Sequence, residues 1–155
     1  MSAPNASAWW LPLATVAQFG SGTPLAVEHL GEPVVLWRDG VTPVAFSDRC
    51  PHRGAQLSLG CVREGQLECP YHGWRFDAAG ACRHIPALPS FTPPATHRAT
   101  VWQVREAFGL LWVAPGGTAD DEALAPPLWR HLPPRQALRA PLDAATSPPR
   151  GAETL

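Results

Sequence analysis

The sequence predicts an all-β domain, an antiparallel barrel or sandwich of short strands. Three observations carry that reading. Apolar stretches are short and stop at glycine-containing turns, the punctuation of hairpins rather than of helices. Several of them alternate apolar and polar residues, the period of a half-buried strand. Proline contributes 19 of 155 residues, far above the average of about 5%. A residue that removes a backbone donor and clashes inside helices excludes a mostly helical fold for the proline-rich half of the chain.

Taken in order, Trp9, Trp10 and Leu13 are expected to cover a barrel edge, and residues 12–18 hold one weakly signalled helical turn at Thr15 to Gln18. Val34-Val35-Leu36-Trp37 reads as a strand entering the turn Arg38-Asp39-Gly40. Val41 to Ser47 returns beside it and delivers the chain to Cys50. Gln66-Leu67-Glu68 is a short strand leading into Cys69. Trp74 to Asp77 alternates and is turned by Ala79-Gly80, and Val101 to Glu106 alternates again. Phe108 to Val113 is a buried closing strand, stopped by Pro115-Gly116-Gly117. Beyond it the strand rhythm is lost among Pro126-Pro127, Pro133-Pro134 and Pro148-Pro149. The expected organisation is therefore one domain over residues 9–115 and a proline-rich extended arm, partly disordered, over 116–155.

Composition excludes several classes of function. The formal charge is -1, so no basic field attracts a phosphate backbone, and nucleic acid is not an expected partner. No apolar run approaches the length of a membrane span, and the first thirty residues lack a basic start followed by an apolar stretch. A soluble cytoplasmic protein is expected. Of the 4 cysteines, two, Cys50 and Cys69, belong to a paired Cys/His motif. In a reducing compartment the other two, Cys61 and Cys82, are expected as free thiols, although a Cys61–Cys82 disulfide is possible on paper.

The chemistry lies in two matched pairs, Cys50-Pro51-His52 and Cys69-Pro70-Tyr71-His72, each following strand-like sequence. Two thiolates and two imidazoles suit a [2Fe-2S] cluster whose cysteines hold one iron and whose histidines hold the other. They also satisfy a tetrahedral zinc site. Zinc sites, however, usually open with two close cysteines and close with two histidines, whereas each half here supplies one of each. Cys50, His52, Cys69 and His72 are the candidate cofactor and metal ligands. No catalytic residue is assigned, because no acid–base set, dinucleotide signature or phosphate loop accompanies them.

Cys50-Pro-His-Arg-Gly-Ala-Gln-Leu-Ser-Leu-Gly and Cys69-Pro-Tyr-His-Gly-Trp-Arg-Phe resemble the N-terminal Rieske domain of ring-hydroxylating and related Rieske non-haem iron oxygenases. The likeness favours the monooxygenase and demethylase branch and runs from residue 9 to about 115. Flanking support comes from Gly31 to Asp39, Ala81 to Ala87 and Val104 to Val113. The resemblance implies a Rieske fold in which two loops form a smaller cluster-binding subdomain. It implies Cys50 and Cys69 on the inner iron, His52 and His72 on the outer, reducible iron, and one-electron transfer as the function. It also implies a flavin- or iron-sulfur-dependent reductase as donor and a separate mononuclear-iron oxygenase subunit as acceptor. Ala55 and Trp74 stand where the respiratory branch carries a loop cysteine and a hydroxyl donor, which implies a potential low in the Rieske range.

A complete oxygenase of this family needs a second iron held by two histidines and a carboxylate. The nearest echo, Asp143, has Thr146 and Gly151 where histidines belong. Three readings follow: an electron-transfer component that works with separate partners, the N-terminal part of an aromatic-ring oxygenase or demethylase, and a non-catalytic Rieske-fold interaction module. Oxygenation by the chain alone is not expected. Arg53 is read equally as loop support and as a counter-charge for a partner carboxylate, Trp74 as a packing lid, and Cys82 as a buried filler. His84 is read as a satisfied loop histidine ahead of one that faces a partner, and His29, His97 and His131 have no supporting cluster of carboxylates.

Overall fold

The computed structural model describes residues 9–116. The arm expected over 116–155 falls outside the described residues from residue 117 on, as do Asp143, Thr146, Gly151 and His131. Among the described residues, ten strands form two antiparallel sheets. The larger is six-stranded, in the order β1 (Leu11–Thr15), β10 (Leu110–Pro115), β9 (Val101–Ala107), β4 (Thr42–Ser47), β3 (Glu32–Asp39) and β2 (Leu25–His29). Its outer strands β1 and β2 pack against each other, so the sheet curls into a near-closed barrel. The smaller is four-stranded, in the order β5 (Cys61–Arg63), β6 (Gln66–Glu68), β7 (Arg75–Phe76) and β8 (Cys82–His84).

The run Val34-Val35-Leu36-Trp37 is apolar throughout because both of its faces are covered. Val34 and Leu36 point into the barrel with Ala14, Phe19, Ala45, Trp102, Leu111 and Val113. Val35 and Trp37 point the other way, into a second core shared with Val44, Phe46, Leu57, Leu67 and Phe76. Strand alternation thus sorts one sequence into two cores, and β3 and β4 form the wall between barrel and lobe.

Tight turns set the register. Leu30-Gly31, Glu64-Gly65 and Phe108-Gly109 each place two successive residues at positive φ. That is the type I′ pattern, whose twist matches the flanking strands. At Phe108-Gly109 it corrects the sequence reading: Phe108 is a turn residue with φ 56°, and the closing strand starts at Leu110. The other correction lies at the N-terminus. Residues 11–15 form edge strand β1, paired to β10, and the helical turn is a 3-10 turn over Gln18–Ser21. Leu13 belongs to that strand and Trp10 is buried, but Trp9 remains 46% exposed. Trp9 contributes its carbonyl, which lies 2.9 Å from Nε2 of the buried His29.

Candidate metal centre

The first loop leaves β4 and the second joins β6 to β7, so each sheet supplies one. Their backbones are hydrogen-bonded alike. Cys50 N–H donates to Ala55 O at 2.8 Å and Gly54 N–H donates to Cys50 O at 2.8 Å. In the second loop Cys69 N–H donates to Trp74 O at 2.8 Å and Gly73 N–H to Cys69 O at 3.0 Å. Each loop reverses through a glycine at positive φ, 73° at Gly54 and 69° at Gly73. A Cβ on Gly73 would also meet Pro86 Cγ at 2.8 Å. The histidine sits one position later in the second loop, yet both loops close with the same bonds.

This pseudo-symmetric pair brings all four sequence-predicted residues together. The cysteines are buried, each 2% exposed, and their thiols interact without a disulfide. The His52 and His72 rings are exposed and lie 4.8 Å apart between centroids, edge to face. Buried thiols below and exposed imidazoles above give the site a dry end and a wet end. Among the described residues no three His, Cys, Asp or Glu side chains converge as ligands of one ion. The candidates divide two and two.

Electrostatics follow from that placement. Burial pushes the Cys50 thiol up to about 11, and the neighbouring Cys69 adds to the rise, while the amides of His52 and Arg53 partly offset it. A free thiolate is therefore disfavoured at neutral pH unless a cation compensates it, which is the behaviour of a ligand rather than of a nucleophile. The pKa of His52 is lowered by desolvation, and then by the positive charge of His72, Arg53 and His97. Its imidazole is thereby held neutral, the form that donates a lone pair to a metal.

Sequence reasoning missed three supports. Trp74, read as a lid for its own loop, stacks face to face on His52 of the other loop at 4.4 Å and 5°. His97, which has no supporting cluster of carboxylates in the sequence, packs against the same indole at 5.0 Å, tilted by 37°. Nothing in the spacing of residues 52, 74 and 97 signals that stack, because it depends on the connection from β8 to β9. A third support is Asp48, buried at 4% exposure at the end of β4. Its carboxylate accepts hydrogen bonds from Ser58 N–H at 2.7 Å and Ser58 Oγ at 2.6 Å, tying the segment after the first loop to the barrel. Cys61 and Cys82 are free thiols, the first exposed and the second buried in the core of the lobe.

The Rieske [2Fe-2S] domain family matches residues 9–103. Methylxanthine N1-demethylase NdmA of Pseudomonas putida is 41% identical over 110 residues, covering 68% of this chain and 31% of its own length. Oxidoreductase NdmD of the same organism is 36% identical over 109 residues, covering 69% of this chain and 18% of its own. The crystal structure of dicamba monooxygenase with non-heme iron and dicamba superposes with a TM-score of 0.68 at 36% identity, over 81% of this chain and 37% of that one. The chain thus spans about a third of the length of the demethylase and the monooxygenase that it matches. It belongs to the Rieske [2Fe-2S] domain family.

Proposed function

We propose that Cys50, His52, Cys69 and His72 hold a [2Fe-2S] cluster, and that residues 9–115 act as the electron-transfer domain of a Rieske-type oxygenase system. The observation that carries this reading is the division of the site into a buried thiol pair and an exposed imidazole pair on two loops with matching backbone bonds. A single zinc ion would ask all four side chains to converge. Two irons ask for two ligands each, which fits the arrangement here.

When bound, the group takes up and releases one electron at a potential raised by its neutral imidazole ligands. The protein's part is to hold the ligands and separate their environments. Matching amide–carbonyl bonds fix the two cysteines. Trp74 holds the plane of the His52 ring. Exposure of both imidazoles leaves the wet end open to a partner's surface, while burial of the thiols keeps solvent from the inner end.

The donor under this reading is a flavin- or iron-sulfur-dependent reductase, and the acceptor is the mononuclear iron of an oxygenase, in a cytoplasmic setting. No helix of the described residues is long and apolar enough to cross a membrane. The names of the matched relatives, a demethylase and an oxidoreductase among them, support such a multi-component system. The similarity to one segment of a longer demethylase favours a second reading, in which the same domain is the N-terminal part of an oxygenase.

The test is analytical. Purified protein should carry about two irons and two acid-labile sulfides per chain and give, once reduced, an EPR signal with average g below about 2. Colourless protein holding one zinc would overturn the proposal.

A further inference from the structure

Beside His52 the surface opens into a cleft of about 500 Å³, lined in part by Glu32, Arg49, Cys50, His52, Arg53 and Arg98. Three guanidinium groups and one carboxylate give this lining a net charge of +2, on a chain whose formal net charge is -1. The positive charge is also uncommitted. Elsewhere in the lobe, arginines are spent on carboxylates: Arg63 and Arg75 on Glu68, Arg75 on Glu64, and Arg83 on Asp77. Among the described residues neither Arg49, Arg53 nor Arg98 has an ion pair, and Arg98 donates only to the backbone carbonyl of Ala79, at 2.8 Å. All three side chains are exposed. The other side of the tip has a different character, since Tyr71, 61% exposed, leans on His72.

We infer that this arginine-lined cleft is the docking site for a carboxylate-rich surface of the reduced protein that supplies electrons to the domain. The inference rests on the electron-transfer reading above and adds to it a face, a charge and an entry imidazole, His52. Unpaired arginines suit carboxylates because the planar guanidinium offers bidentate donors at little cost in reorganisation. A positive cleft also steers an acidic partner toward its floor and raises the association rate. One electron then leaves the partner, which is oxidised, and enters the domain, which is reduced. No bond is made or broken.

The probe is a reduced, acidic plant-type ferredoxin, a stronger reductant than a mixed-ligand cluster. It is mixed with the cluster-loaded full chain in an anaerobic stopped-flow experiment. The second-order rate constant should fall at least about tenfold as salt is raised from about 20 to 500 mM. Arg53→Glu and Arg98→Glu should each lower the low-salt value by about fivefold or more. Arg49→Gln, which removes charge without placing a carboxylate against the Gly54 turn, should lower it by less. Arg63→Glu, outside the cleft, should change it by less than about twofold. With reduced methyl viologen, a cation, the cleft reversals should raise the rate, an inversion that loss of structure cannot imitate. The docking inference is overturned if the ferredoxin fails to react at low salt, if its rate ignores salt and the cleft charges, or if Arg63→Glu matters equally. Competitive inhibition by pyrophosphate without any salt-steered protein reaction would assign the cleft to small anions, and so would also overturn it. Absence of iron and sulfide from the chain would instead sink the electron-transfer reading itself.

Discussion

The barrel and the cluster-binding lobe hold together by different means. The barrel has strands of five to eight residues, each hydrogen-bonded to neighbours around the sheet, and an apolar interior apart from the buried His29, which packs edge-on against Trp102. The lobe has strands of two or three residues. Its core borrows Val35, Trp37, Val44 and Phe46 from the barrel wall and includes Cys50, Cys69 and Trp74 from the site itself. Arg75 adds a polar clasp, bonded to Glu68 at 2.8 Å. The difference teaches that the barrel core is built without site residues, whereas in the lobe the two candidate cysteine ligands are also core residues.

The largest effect that can break this comparison is removal of a buried ligand. Cys69→Ser should abolish the visible colour and the reduced-state EPR signal. It should also raise hydrogen exchange across β5 to β8 while leaving β3, β4, β9 and β10 protected. Uniform loss of protection over both sheets would show that barrel and lobe are one cooperative unit.

Trp74→Ala removes an indole that packs against His52 and His97 and is itself buried in the lobe core. A cost of about 3 to 5 kcal/mol is expected, read by urea unfolding, together with a broadened or shifted EPR spectrum from a freed His52 ring. Asp48→Asn tests the joint between the two regions. Its amide can replace only part of what the carboxylate gives Ser58, so a loss of about 1 to 3 kcal/mol is expected, with the exchange increase centred on residues 57–60. Spread of the effect into the barrel interior would assign Asp48 to the scaffold instead.

The same contrast explains what could be read from the sequence. β3, β4 and the Cys/His pairs were legible because each announces itself locally, by a long apolar run, a glycine turn or a ligand spacing. β6 was read only from its place before Cys69, whereas β5 and β8, equally short and with too little period, were not read. Their strand character comes from pairing with β6 and β7. β1 was read as cover with a helical turn, since Leu11 to Thr15 contains proline and becomes a strand only through its pairing with β10. In the site, the four candidate residues could be picked out from spacing. The contacts of Trp74 and His97 could not, for each packs on a residue distant in sequence, and that of Asp48 could not because its partner Ser58 lies beyond the first loop.

Protonation offers a smaller test. The folded Cys50 pKa, about 11, lies above the ordinary 9.0, so folding favours the neutral thiol. In the cluster-free chain that contribution is complete below pH 9 and is lost as pH rises through about 11. A decline on the order of 2 kcal/mol is expected over that window, measured by urea unfolding at several pH values. Burial raises Cys82 as well, which adds to the decline in the same direction. The cluster-loaded chain should lack the Cys50 part, because its ligand thiols are already deprotonated. Equal declines in the two forms would deny Cys50 a place among the ligands.

The smallest effect belongs to Cys61. It opens β5, only eight residues before Cys69, and spacing alone would let it compete for a metal. The structure separates the two: Cys61 is exposed, whereas Cys50 and Cys69 are buried together. Its side chain packs in neither core. Replacing an exposed thiol by a hydroxyl of similar size, on a strand whose pairing with β6 is made by backbone groups, leaves every buried contact intact. Cys61→Ser should therefore change stability by no more than about 0.5 kcal/mol and leave the absorption and EPR spectra unchanged. The measurement is nonetheless decisive for the lobe. If the spectrum disappeared with Cys61 while Cys69→Ser kept it, the exposed end of β5 would be the ligand position, and the buried thiol pair would be mere packing.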